Sequence, residues 1–145
     1  MMETNDSTIW DGGQALVQII FGEPASKANS RKVVRIGGAS RLIKSSKALA
    51  YADSFKKQAR PIHPLIETDV RVTMKIFYAS RRSDLDESLI LDLLQGVIYV
   101  NDRQVKEKHI YWGLDKECPR AEIIVDVLPI PEKKTRSKRV FKEEI

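Results

Sequence analysis

Three aspartates lie on either side of one short, leucine-rich segment of this chain. Asp84 and Asp86 are separated by one leucine, and Asp102 follows Asn101 after the segment. Carboxylate oxygens are the ligands that Mg²⁺ and Mn²⁺ prefer, and clustered carboxylates repel one another unless a cation neutralises them. A metal held by these aspartates could polarise a phosphate and activate water. Their pattern therefore predicts the metal site of a nuclease.

The elements that must position these aspartates are predicted from hydrophobic period and helix-end signals. Residues 69–78 alternate apolar and polar side chains, which indicates a strand. We expect a helix over residues 84–95 closed by Gly96, an extended stretch at 97–100, a turn and a strand at 105–112. A strand–helix–strand path of this length is expected to bring the two ends of the helix, and with them the three aspartates, close together.

The remaining segments predict a small mixed domain. Residues 15–21 form a first strand, and residues 24–46 form a long connection with a short strand at 33–36. A helix capped by Ser45 or Ser46 is expected to run to about residue 60, and residues 121–128 give the last strand. The predicted fold class is α/β, an α+β domain with two helices packed on a mixed four- to five-stranded sheet. The helix-linked strands are expected to be parallel, and the late strands to pair antiparallel.

Length and composition fit one folded domain. The chain has 145 residues, of which 42% are hydrophobic and 31% charged. We expect a flexible leader at 1–13, the folded domain at 14–130 and a basic, disordered tail at 131–145. No apolar run approaches the ~18 residues that span a bilayer, so no membrane association is expected. Cys118 is the one cysteine, which excludes an internal disulfide and indicates a cytoplasmic protein.

The net charge of +5 is distributed unevenly along the chain. No acidic residue lies between Glu23 and Asp53, although seven basic residues do. Such a stretch attracts polyanions and gives salt-dependent binding. We therefore predict nucleic-acid contacts, mainly to phosphates. The predicted DNA-binding residues are Lys27, Asn29, Arg31, Lys32, Arg35, Arg41 and, after the acidic segment, Arg103.

The same residues also admit purely structural roles. Asp84 could cap the helix, Asp86 and Glu87 could favour its positive end, and Asn101-Asp102 could be turn chemistry. Two other functions therefore stay open: a non-catalytic protein that binds branched DNA, and a basic RNA-binding module. In the second, aromatic side chains would stack on unpaired bases. The candidates are Tyr78, Tyr99, Tyr111 and Trp112.

A family resemblance covers the acidic segment. The motif D-L-D, a leucine-rich helix and G-V-x-Y-x-N-D-R-Q-V follow one another over residues 84–105. In this order they resemble the RusA-type Holliday junction resolvases, the crossover junction endodeoxyribonucleases. The motif G-x-P-x-S-K-x-N-S-R at residues 22–31 is similar to the basic N-terminal loop of that family.

The resemblance implies a function and a site. Asp84, Asp86 and Asp102 take the positions of the family's catalytic, metal-binding aspartates, with Mg²⁺ as the metal and Mn²⁺ able to substitute. The implied activity is paired phosphodiester hydrolysis in four-way junctions and other branched DNA, in recombination and repair. A homodimer, encoded by a bacterium or phage and associated with the nucleoid, is implied as well. Asp92 falls on the aspartate of the family's helix and is a supporting candidate. Glu87, as an additional metal ligand or the partner of one, and Lys106 are the other two supporting candidates.

Three positions depart from the family pattern. Glu87 replaces the asparagine that follows the second aspartate, and Asn101 replaces the first member of an Asp-Asp pair. Ile90 replaces a lysine, which removes a cation that could contact the scissile phosphate. Another basic side chain would have to supply that charge. The candidates, which the sequence does not rank, are Lys27, Arg103, Lys106 and Lys108.

Overall fold

The computed structural model describes residues 8–9, 12–26 and 31–130. Lys27, Asn29, the predicted tail and most of the predicted leader lie outside these residues, so the division at 13/14 and 130/131 stays a prediction. No helix in the described ranges is long and apolar enough to cross a membrane. The elements, in chain order, are β1 (Thr8–Ile9), β2 (Leu16–Phe21), β3 (Arg31–Ile36), β4 (Ala39–Lys44), α1 (Ser46–Gln58), β5 (Ile62–His63), β6 (Val70–Tyr78), α2 (Ser88–Leu93), a 3₁₀ helix (Asp102–Gln104), β7 (Val105–Leu114) and β8 (Arg120–Val127).

A mixed four-stranded sheet forms the centre of the protein, in the order β2-β8-β6-β7. Strands β6 and β7 are parallel, as expected for a helix-linked pair, whereas β8 is antiparallel to both β6 and β2. The α+β fold class with a mixed sheet is therefore confirmed. The expectation that the late strands pair with each other is wrong, because β6 lies between β7 and β8. β1, within the predicted leader, pairs with β5.

One face of this sheet carries the core. The alternation along β6 buries Val70, Val72, Met74, Ile76 and Tyr78, which confirms the strand predicted from the sequence. Side chains of both helices belong to the same buried cluster. On β2 the alternation is equally regular, but Val17, Ile19 and Phe21 are exposed on the opposite face. The helices therefore cover only one side of the sheet.

The predicted long connection between β2 and α1 contains a β-hairpin. The short strand expected at 33–36 is part of β3, and β4 pairs with it antiparallel. Gly37 and Gly38 form the turn with φ of 61° and 84°, a conformation that glycine adopts without steric cost. The prediction missed the second strand. Three predicted DNA-binding positions, Arg31, Lys32 and Arg41, lie on the hairpin strands, and Arg35 is exposed on β3.

Helix α2 is shorter than the sequence predicted. It begins at Ser88, so Asp84 does not cap it, and the chain from 79 to 87 is an irregular loop. The reason is local: Asp86 Oδ1 accepts hydrogen bonds from the Ser88 backbone nitrogen at 3.0 Å and Oγ at 2.7 Å. Such side-chain bonds compete with helix formation. Residues 97–100 are also not a strand, since the Val97 and Ile98 nitrogens donate to Leu94 O in a turn.

Candidate active site

The loop that carries Asp84 and Asp86 lies against the end of β6 and the middle of β7. Tyr78 Oη accepts a hydrogen bond from the Asp86 nitrogen at 3.1 Å, and Trp112 Nε1 donates to Ser83 O at 3.0 Å. The Tyr78 and Trp112 rings stack with centroids 6.2 Å apart. Two aromatic side chains of the sheet therefore set the path of the loop.

Several carboxylates surround the Tyr78 hydroxyl. Burial raises the pKa of Tyr78 above its ordinary value, and the negative charges of Asp86, Glu23 and Glu87 raise it further, although the hydrogen bond from Asp86 opposes the shift. Glu23 Oε2 accepts a hydrogen bond from the Ala79 nitrogen at 3.0 Å. Burial and the nearby carboxylates therefore both favour the protonated form of the Tyr78 hydroxyl.

Glu23 is the one acidic side chain of this group that sequence reasoning did not single out. It follows β2, whereas the other acids follow β6. Phe21 of β2 and Phe77 of β6 both pair with Arg120 of β8, so β2 and β6 finish at the same end of the sheet. In the sequence, the one sign of a role for Glu23 is its position just after a predicted strand. Its significance depends on sheet order, which the sequence did not reveal.

Asp102 lies in a turn fixed by two glutamines. Its backbone nitrogen donates to Gln95 Oε1 at 2.8 Å. Gln104 Oε1 accepts from the Val100 and Asn101 nitrogens, while its Nε2 donates to Ile66 O and Thr68 O at 2.8 Å each. Together with Asn101, which caps the 3₁₀ helix, these bonds determine the backbone of Asp102. The predicted turn at Asn101-Asp102 is confirmed.

The two aspartate-bearing segments leave and rejoin the sheet at opposite ends. β6 and β7 are parallel, with Val70 beside Val105 and Tyr78 beside Leu114. The crossover between them therefore leaves at one end of the strands and returns at the other end. Within residues 8–9, 12–26 and 31–130, no three His, Cys, Asp or Glu side chains form a group that could hold a metal ion. The expectation that the path itself brings the three aspartates together is therefore wrong.

The loop that carries Asp84 and Asp86 nevertheless runs back along β7 toward the end where Asp102 lies. It passes Trp112, at the level of Ile76, and then Lys108, at the level of Val72. Lys108 Nζ lies 2.6 Å from Glu87 Oε2, with 18% of the Glu87 side chain and 49% of the Lys108 side chain exposed. The pair connects the residue next to Asp86 with strand β7.

An open cavity of about 210 Å³ adjoins this ion pair. Its lining includes Asp102 and Lys108, with Leu91 of α2 on one side. Lys106 also lines it, but its ammonium donates to Arg103 O at 2.9 Å. Asp102 and Lys108, the partner of Glu87, therefore both line this cavity.

The other predicted site residues take peripheral positions. Asp84 and Arg103 are exposed, and Asp92 is exposed on α2. Asp92 and Asp102 both lie near Tyr99, whose pKa is raised first by burial and then by these two charges. The Tyr99 hydroxyl donates to Leu91 O at 2.7 Å. Asp92 thus belongs to the Asp102 side of the site.

The donor chemistry suits Mg²⁺, although these carboxylates do not form a closed cage. Mg²⁺ commonly takes one or two protein carboxylates and completes its shell with water and substrate phosphates. Asp102 lines the cavity, whereas Asp84 and Asp86 lie on the loop after β6, so the described residues present these carboxylates apart from one another.

The sequence model of one known protein family matches this chain. Its description is Endodeoxyribonuclease RusA, and the match covers residues 22–126, from the segment before the hairpin to the end of β8. All three predicted catalytic aspartates and Lys108 lie inside it. A comparison with curated proteins found no match.

Proposed function

Because this chain belongs to the RusA endodeoxyribonuclease family, we propose that it resolves Holliday junctions and related branched DNA by Mg²⁺-dependent, paired hydrolysis. The observation that carries the proposal is the family match, which spans both aspartate-bearing segments and the cavity beside them. Mn²⁺ would substitute for Mg²⁺, since both accept oxygen ligands.

The metal-binding residues in this proposal are Asp84, Asp86 and Asp102. A metal bound there would polarise the phosphoryl oxygen and lower the pKa of a bound water. The protein contributes the positions of the ligands: Tyr78 holds the Asp86 backbone, and Gln95 holds that of Asp102. We propose that a DNA phosphate bound in the cavity would bring the two aspartate-bearing segments into one site through its oxygen atoms.

Exposed arginines on the hairpin and beside Asp102 would hold the DNA backbone. Arg35 is exposed on the hairpin, and Arg103 is exposed beside Asp102. Phosphate contacts of this kind fix the position of the duplex without reading its sequence. A binding surface built in this way suits recognition of a branched shape.

A homodimer is part of the same proposal. A four-way junction offers two strands of like geometry, and a two-fold dimer presents one site to each of them. Light scattering on the purified protein should give about twice the mass of the 145-residue chain. A monomer that still cuts both strands of one junction in paired positions would contradict this part.

The test of the activity uses a synthetic mobile four-way junction. Purified protein with Mg²⁺ or Mn²⁺ should cut it in symmetric pairs. Asp86→Asn and Asp102→Asn should each lower the cleavage rate by about a thousandfold or more, equivalent to ~4 kcal/mol of barrier. Both variants should keep binding the junction.

The matched control for these variants is Asp53→Asn. Asp53 lies on α1 and forms an exposed ion pair with Lys57 at 3.4 Å, so its loss should leave cleavage unchanged. Wild-type protein that cuts no branched DNA with either metal would overturn the proposed activity.

A non-catalytic branched-DNA-binding protein is the second candidate. It is favoured by the absence, among the described residues, of a preformed three-carboxylate group, and by Ile90 at the family's lysine position. It predicts junction binding without products. Of the four aromatic candidates of the RNA-binding alternative, Tyr78 and Tyr99 are 3% and 0% exposed and cannot stack on bases, whereas Tyr111 is 54% exposed.

A further inference from the structure

Glu87 and Ile90, two departures from the RusA pattern, lie close together at the start of α2, and their contacts differ. Ile90 is fully buried in the core, so the position that carries the family's lysine here contributes apolar packing. Glu87 occupies the family's asparagine position, and its carboxylate binds Lys108. This chain therefore lacks a cation on α2 but has one on β7, directed at the segment that begins the helix.

Among the candidate replacements, Lys108 has the contacts that fit. Its ammonium bonds the neighbour of Asp86, and its side chain shares the cavity with Asp102. Lys106 donates to the carbonyl of Arg103, which directs its ammonium toward the turn. Arg103 and Lys108 are both exposed, but Lys108 bonds Glu87 and lines the cavity with Asp102. Lys27 lies outside the described residues.

The ammonium group can serve both Glu87 and a substrate. A lysine carries three N–H donors, and Glu87 Oε2 accepts from one of them. About half of the Lys108 side chain is exposed and Lys108 lines the open cavity, whereas Glu87 is mostly covered. Glu87 therefore fixes the direction of the lysine side chain and leaves the ammonium accessible to an anion.

We propose that Lys108 contacts the scissile phosphate, and that Glu87 is a positioning residue that holds the ammonium in place. The inference rests on the proposed nuclease function, and it supplies the charge that Ile90 lacks. Lys108 would stabilise negative charge on the phosphoryl oxygens as water attacks. Electrostatic contacts of this kind typically change rates by about 10²–10³-fold.

The experiment compares Lys108→Gln, Lys108→Arg and the control Lys57→Gln. Lys57 also belongs to a lysine–carboxylate pair, on the exposed side of α1. At saturating junction and Mg²⁺, the single-turnover cleavage rate should fall about 100-fold in Lys108→Gln. It should stay within about tenfold of wild type in Lys108→Arg, which keeps the charge, and should not change in Lys57→Gln.

A second measurement needs no metal and no cleavage. Junction binding in EDTA is followed against salt concentration, where each phosphate contact contributes about −0.9 to the log–log slope. Lys108→Gln should reduce the magnitude of the slope by about 0.9, and Lys57→Gln should leave it unchanged. An unchanged slope in Lys108→Gln would overturn the inference whether or not the wild type cleaves DNA.

Glu87→Gln tests the positioning role while keeping the lysine. It should lower the single-turnover rate about tenfold without changing the junction Kd, and it should add nothing in a Lys108→Gln background, because the two residues act through one contact. Additive losses would contradict the role of Glu87. If the wild-type protein cleaves and a folded Lys108→Gln variant cleaves equally well, the inference about Lys108 is refuted and the nuclease proposal stands. If the wild-type protein does not cleave, the nuclease proposal is refuted.

Discussion

The loop before α2 and the turn before β7 both carry predicted metal ligands, but the protein holds them differently. In the turn, Gln95 and Gln104 bind the backbone nitrogens at and before Asp102 and connect the turn to the segment at 66–68. In the loop, Asp86 is held at its backbone nitrogen by a tyrosine hydroxyl, and Asp84 is exposed. The backbone around Asp102 is therefore bonded by side chains at nearly every nitrogen, whereas the loop is held at a few points, among them the Asp86 nitrogen and the Asp86 carboxylate.

This difference indicates how such a site can be completed. In the proposed function, a metal and a phosphate bound between the two segments would draw the less extensively bonded loop toward the turn. The contacts made in the closed state must then outweigh the cost of ordering the loop. Activity would therefore depend on DNA of the right shape, since the substrate supplies part of the site.

Among the residues that support the two segments, the largest effect is expected from removing the side chain that fixes the turn. Gln104→Ala should lower the free energy of unfolding by about 2–3 kcal/mol, because two backbone carbonyls and two backbone nitrogens lose their partner. It should also lower the cleavage rate at least about tenfold, since Asp102 is no longer held. Urea denaturation and single-turnover cleavage measure the two effects.

Gln58→Ala is the matched control for this variant. Gln58 bonds both backbone groups of Phe21 from α1, an arrangement like that of Gln104 but remote from the turn. It should reduce stability by about 1–2 kcal/mol and leave the cleavage rate of the folded protein unchanged. Equal losses of cleavage in the two variants would show that the turn has no special part in activity.

A smaller effect is expected on the loop side. Tyr78→Phe removes the oxygen that accepts from the Asp86 nitrogen, and the cleavage rate should fall about three- to tenfold with stability changed by less than about 1 kcal/mol. Because the pKa of Tyr78 is raised, its hydroxyl is neutral throughout the range below its ordinary pKa of 10.0, so this contribution should not vary with pH there.

Tyr51→Phe provides the comparison for that substitution. Its hydroxyl is buried without a hydrogen-bond partner within the described part of the chain, so its removal should leave cleavage unchanged and stability equal or slightly higher. A Tyr78→Phe variant as active as Tyr51→Phe would mean that the loop needs no support from the tyrosine hydroxyl.

The smallest effect is a difference in backbone protection. Amide hydrogens of residues 101–104 should exchange more slowly than those of residues 80–87 in the free protein, because the turn has more of its nitrogens bonded to side chains. Adding Mn²⁺ with an uncleaved junction should slow exchange mainly in the loop. Equal exchange in the two segments before addition would contradict the comparison.

The sequence predicted those features that local pattern determines. The alternation along β6, the Ser45 cap of α1 and the turn chemistry at Asn101 were each readable over a few residues. The family resemblance identified the chain and its candidate ligands, and the family match confirms the membership. Residue roles at the site stay predictions.

Other features depend on contacts between distant segments. The start of α2 depends on whether Asp86 bonds Ser88 or the helix continues upstream. The place of β8 between β2 and β6 determines that Glu23 joins the acidic group, and no local pattern encodes it. The Glu87–Lys108 pair likewise joins two elements whose alignment depends on the crossover.

Strand β7 is at the border of the central sheet and, in the described residues, its strand pairing is with β6 alone. Border strands open before the interior of a fold does. Asp102 and Lys108 lie just before and on this strand, so the predicted site adjoins one of the two border strands of the sheet. On gradual heating, inactivation should therefore precede the loss of the hydrophobic core, and cooling should restore activity without complete refolding.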